Sequence, residues 1–117
     1  MSSYLQAGKT QLLVVDNIGV VANIVTPGSS TFTVLNTGNE VVYICFGSAG
    51  VPAATPTVPQ NSGDTSPGYA LMPNWPTAIT VAGYQSGNVV VKAVSAGGSD
   101  SVLITPVINI GEQSNVY

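Results

Sequence analysis

The sequence contains no histidine and no arginine, two lysines and one cysteine among its 117 residues. Lys9 and Lys92 stand against Asp16, Glu40, Asp64, Asp100 and Glu112, for a net charge of -3. Neutralising phosphate takes clustered Lys or Arg, so nucleic acid is not expected as a partner. Nucleophilic catalysis needs a positioned base, and histidine is missing. The five carboxylates are scattered over predicted turns and form no acid and base pair. No enzyme is expected, and no catalytic, cofactor-binding or metal-ligating residue is assigned. A lone Cys45 can form no internal disulfide and offers no metal-ligand spacing, which fits a reducing compartment. Lying in the apolar run YICF with no cation expected beside it, it reads as a buried core thiol.

Long apolar runs are lacking too. No stretch approaches the 18 or so residues of a membrane-spanning helix, so no membrane association is expected. The start, MSSYLQAGKTQ, has no basic segment followed by an apolar one, so no secretory signal is expected and the chain is placed in a cytoplasm unless something larger carries it out. With only 6% charged residues, polarity comes from 12 serines, 11 threonines and 9 asparagines. A neutral surface of hydroxyls and amides suits contact with proteins or sugars, because little charge has to be desolvated.

Amphipathic helical spacing is absent as well, whereas short runs rich in Val, Ile, Thr, Tyr and Phe recur between Gly, Asn and Ser clusters. Strands are expected near 11–15, 19–25, 31–36, 40–46, 69–72, 77–82, 89–95 and 101–105, with a ninth, edge-like piece at 107–110 after Pro106. Alternation directs Phe32 and Val34 inward, likewise Ile79 and Val81, and Val89, Val91 and Ala93, with Lys92 facing water. The run VVYIC is apolar on both faces, which places it mid-sheet or beneath a partner. Two hairpins are expected, turning at Asn36-Thr37-Gly38-Asn39 and at Ala96-Gly97-Gly98-Ser99. Eight or so strands spaced about ten residues apart define an all-β fold: one antiparallel β-sandwich, jelly-roll-like, over 1–117, with extended termini.

Between the strands, GSAGVPAATPTVPQNSGDTSPG (47–68) carries prolines, glycines and one charge. Neither flank is large enough to fold alone, so it reads as a long internal loop, with AATPTV as a possible short edge strand. Asp64 with Asn61 and Ser66, and Asp100 with Ser99 and Ser101, could offer oxygen ligands to calcium, but turn capping explains both better. Trp75, in MPNWP, could stack on a sugar, anchor a protein or plug the core's open end. Tyr4, Leu5, Tyr84 and Tyr117 complete the candidate interface residues. Residues 1–10 and 107–117 read as arms able to add strands to a neighbour's sheet, or as simple fraying.

The phrases VLNTGNEVVYICFG, GYALMPNWPTAITV and VVVKAVSAGGSDSVLITP resemble small β-sandwich or jelly-roll structural proteins of tailed bacteriophages, which decorate or cement the head. The likeness covers roughly residues 30–106. It implies a virion protein on the capsid exterior that binds the major capsid protein, bridges neighbouring capsid subunits and forms homo-oligomers, dimers or trimers. The alternative expectation is a carbohydrate- or receptor-binding module of a phage tail or fibre.

Overall fold

The computed structural model describes residues 5–7, 9–25, 31–48, 50–81 and 88–109. Among these residues there are nine strands: β1 (Leu5–Ala7), β2 (Gln11–Val15), β3 (Val20–Val25), β4 (Thr31–Asn36), β5 (Val42–Gly47), β6 (Tyr69–Leu71), β7 (Thr77–Thr80), β8 (Asn88–Ser95) and β9 (Asp100–Asn109). They form two antiparallel sheets packed as a β-sandwich. Sheet A runs β1-β9-β4-β7, with β2 also paired to β9, and sheet B runs β3-β8-β5-β6.

Strand pairing follows one rule. Among the ladders, β2 joins β9, β3 joins β8, β4 joins β7 and β5 joins β6. The chain is doubled back on itself about the stretch between β5 and β6, and the doubled ribbon is wound into the two sheets. The stretch 47–68 is therefore the bend of the ribbon.

Alternation decides which side chains the sheets enclose. Phe32, Val34, Val42, Ile44, Leu71, Val89, Val91, Ala93, Val102 and Ile104 are buried between the sheets, joined by Leu13, Val15 and Val81. Each fully buried side chain of this size contributes about 1.5–3 kcal/mol. Phe32 and Phe46 stack across the core at a centroid distance of 5.3 Å and 25°.

Neither expected hairpin forms. β4 lies in sheet A and β5 in sheet B; β8 lies in sheet B and β9 in sheet A. Residues 37–41 and 96–99 are arches from one sheet to the other. Sheets stack about 10 Å apart, a gap that four or five extended residues span at about 3.3 Å each. Glycine and asparagine make the turn in either geometry; what the next strand pairs with is settled elsewhere. Each arch opens on a buried polar side chain that accepts a bond from the glycine two residues on: Gly38 N to Asn36 Oδ1 at 3.0 Å and Gly97 N to Ser95 Oγ at 3.3 Å. The arches then bind each other through Thr37 N to Ser101 O, Ala96 N to Val41 O and Glu40 N to Asp100 Oδ2.

Two other expectations are corrected. The piece after Pro106 is not an edge strand: β9 runs unbroken through Pro106 and lies between β4 and β1. β2 pairs up to Ile104 and β1 resumes at Val107, so Pro106 falls at the break in pairing, where a missing N–H costs least. Within the expected arms, Leu5–Ala7 and Val107–Asn109 pair with each other in sheet A.

Candidate functional site

The five residues picked out from the sequence are not gathered into one place. Tyr4, Tyr84 and Tyr117 lie outside the described residues. The backbone of Leu5 pairs with Asn109 in β1, at one margin of sheet A. Trp75 precedes β7 at the opposite margin and is 69% exposed, so it does not plug the core. Its turn is held by Trp75 N donating to Met72 O and by Asn74 N donating to Asn36 O, with Asn74 in the left-handed region at φ 61°.

The end of the core near Trp75 is filled instead by Asn36. This side chain is fully buried, and its Nδ2 donates to Glu40 O at 2.7 Å and Leu71 O at 3.0 Å. Every side-chain hydrogen-bonding atom of Asn36 therefore has a partner.

The carboxylates serve the turns. Asp16 Oδ1 accepts from Ile18 N and Gly19 N. Asp64 Oδ2 accepts from Gln60 N and Asn61 N, and these bonds hold its carboxyl below the usual range. Asp100 is buried and accepts from Glu40 N and Ser101 N. Capping thus accounts for both clusters considered for calcium, and among the described residues no three His, Cys, Asp or Glu side chains converge on a common point.

The two outer faces of the sandwich differ. On sheet B, β5 lies between β8 and β6, as the doubly apolar VVYIC implies, and the chain's own loop covers it. Pro56 is buried, and Thr55 and Pro56 lie beside Lys92 and Val94; Val51, Pro52 and Ala54 lie beside Cys45. A Cβ on Gly47 would overlap the Ala53 backbone, which shows how closely the loop approaches the end of β5. No part of AATPTV is a strand. Pro52, Pro56 and Pro59 lack N–H groups for a ladder, and Thr57 N donates to Ser66 Oγ instead. Cys45 is buried here, under the loop and not in the main core. The cation not expected beside it is present, because Lys92 is its cross-strand neighbour. Burial raises the thiol pKa and outweighs the lowering by Lys92.

On sheet A no segment of the described residues plays that part. Leu12 is 59% exposed and Val14 61%. Register places side chains in rows across the strands: Leu12, Leu103 and Leu35 form one. Thr105 and Thr33 lie beside it, extended by the bond of Thr10 Oγ1 to Thr105 Oγ1 at 2.7 Å. On the other side Val14 and Ser101 are paired, and Ser101 Oγ bonds Thr37 Oγ1 at 2.6 Å. Farther out Val107, Thr31 and Thr80 form a fourth row. None of these residues is charged. This face is the candidate site. What it offers is an uncharged, half-apolar contact surface. The outward Thr31 and Thr33 were legible by alternation, but the rows were not, because they join strands up to 95 residues apart, as Thr10 and Thr105 are.

Compared with protein-family models, curated proteins and solved structures, the chain matches none.

Proposed function

We propose that this chain is a structural, non-enzymatic virion protein of a tailed phage, a jelly-roll sandwich that decorates the capsid exterior and cements neighbouring subunits of the major capsid protein. The observation that carries the reading is the uncharged outer face of sheet A, which no described segment covers, where sheet B is covered by the chain's own loop. An apolar surface spread over several strands is unusual on a domain that stays alone, and a protein partner is the natural cover for one without charge. The winding of β2–β9 from one doubled ribbon into two four-stranded layers supports the jelly-roll reading. Synthesis in the host cytoplasm, followed by attachment to the finished shell, belongs to the same proposal.

Cementing requires preferential binding to the assembled shell. At about 100 times its Kd a ligand stabilises the form it binds by about 2.7 kcal/mol per site. The test is to add the purified chain to capsids assembled without it and then heat them. Binding with a raised disruption temperature is expected; capsids that neither bind the chain nor gain stability overturn the reading.

One observation favours a second reading. Trp75, 69% exposed beside the exposed Met72, is free to stack on a sugar ring, as a carbohydrate-binding tail or fibre module would require. Saturable glycan binding that is lost in Trp75→Ala, without binding to capsids, would favour it.

A further inference from the structure

We propose that the outer face of sheet A, uncovered by any described segment, is where two copies of this chain meet, face to face, across a two-fold axis. The inference rests on the structural reading above and names the partner at the same surface. Its basis is the order of the rows. The leucine row, Leu12, Leu103 and Leu35, lies between Thr105 with Thr33 on one side and Ser101 with Thr37 on the other.

A two-fold axis lying in the plane between the two copies, along the leucine row, turns that row onto itself and lays one hydroxyl row over the other. Leucine then meets leucine, and hydroxyl meets hydroxyl. Such self-complementarity is what an isologous interface demands of its one patch. Hydroxyls satisfy it because each donates one bond and can accept two, whereas a carboxylate or ammonium facing its own copy only repels. The Thr10–Thr105 pair keeps one O–H to donate, since only one of its two hydroxyls donates within the pair, whereas Thr37 donates to Ser101 O and Ser101 to Thr37, so that row offers acceptor lone pairs to the donors of the other.

Charge argues for the same occupant. The whole chain carries -3, yet no row of this face contains an acid or a base; the nearby acids Glu40 and Asp100 lie past its Val14 and Ser101 end, away from the leucine row that carries the axis. A partner with a charged patch would instead bury those charges unpaired, which opposes binding. Size sets the strength. Strands about 4.8 Å apart and rows about 6.8 Å apart give a patch at the small end of specific interfaces, so association in the micromolar range is expected. On a crowded shell, effective concentration would strengthen it.

The experiment is sedimentation equilibrium of the full chain alone, from about 10 µM to about 1 mM, a range that brackets a micromolar Kd. A reversible monomer and dimer mixture is expected. Leu103→Glu sets two carboxylates against each other at the axis and should weaken the dimer by more than about tenfold. Leu12→Glu, on a side chain already more than half exposed, serves as a second variant that keeps the fold, checked by its thermal melt, and should weaken the dimer likewise. A monomer throughout, a trimer, or a dimer indifferent to a folded Leu12→Glu overturns the inference. A monomer that still binds and stabilises capsids removes the dimer and leaves the structural reading standing, so the two failures are told apart.

Discussion

Gly38 lies in one arch and Asp100 opens β9 just after the other, yet each fixes the other. A Cβ on Gly38 would overlap the Asp100 carboxylate, which is held by Glu40 N and Ser101 N. The Gly38 backbone is not left-handed, so Gly38→Ala tests crowding and not backbone strain. Overpacking of this kind costs about 1–3 kcal/mol. Asp100→Ala strips the two N–H groups of their acceptor, at about 1–3 kcal/mol for each one left buried. Combined, the two changes should cost at least about 1 kcal/mol less than their sum, because removing the carboxylate makes room for the new methyl. Urea unfolding of the four proteins of the cycle measures this, and strict additivity would refute the packing argument. Composition showed that Asp100 and Asn36 sit at turns; it could not show that the turns of two distant segments share one set of bonds. For the same reason the neighbour of Cys45 was invisible, since Lys92 reaches it only through strand register.

Strands were legible because alternation is local: Phe32, Val34, Val89, Val91 and Ala93 are buried as their spacing required. Connections were not, because a five-residue link containing Asn and Gly serves a hairpin and an arch equally well. The buried Asn36 is the deciding residue, and its partners Glu40 O and Leu71 O come from the arch and from β6. The loop 47–68 was recognised as internal, but its covering of sheet B depends on Pro56 finding a place beside Val94, a contact without local signature. Its tip is built on Asp64, whose pKa is lowered chiefly by the backbone N–H of Asn61 and then that of Gln60. A carboxyl with a depressed folded pKa supports its structure above the unfolded value and loses that support as pH falls through the folded one. The amide protons of Gln60 and Asn61 should therefore shift together in NMR spectra, with a midpoint below 3.8, the unperturbed value. In Asp64→Ala the transition should vanish while the global melt is almost unchanged, since the group lies at the surface. Retention of the transition in that variant would assign the effect to another acid.

Among the described residues no ladder is formed within one half of the chain. β1 to β5 precede the loop and β6 to β9 follow it, and β1 and β2 pair with β9, β3 with β8, β4 with β7 and β9, and β5 with β6 and β8. A strand in either half therefore finds its backbone partners only in the other. Both layers of the core are shared as well: Phe32 and Val34 come from the first half and Val102 and Ile104 from the second, all in sheet A. An isolated half would keep apolar strands with open edges and nothing to pair them, a state that cannot offset the entropy of ordering the chain. So long-range a set of pairings also predicts slow folding, because distant closure must precede most of the gain. Expressed apart, residues 1–57 and 58–117 should each lack sheet structure by circular dichroism. Mixed, they should regain it with a concentration dependence that reports their association. A chain nicked by protease within 47–68 should likewise remain one folded particle in native buffer and fall into two unfolded pieces only in denaturant. If either fragment folds by itself, the doubled ribbon is not what holds this sandwich together.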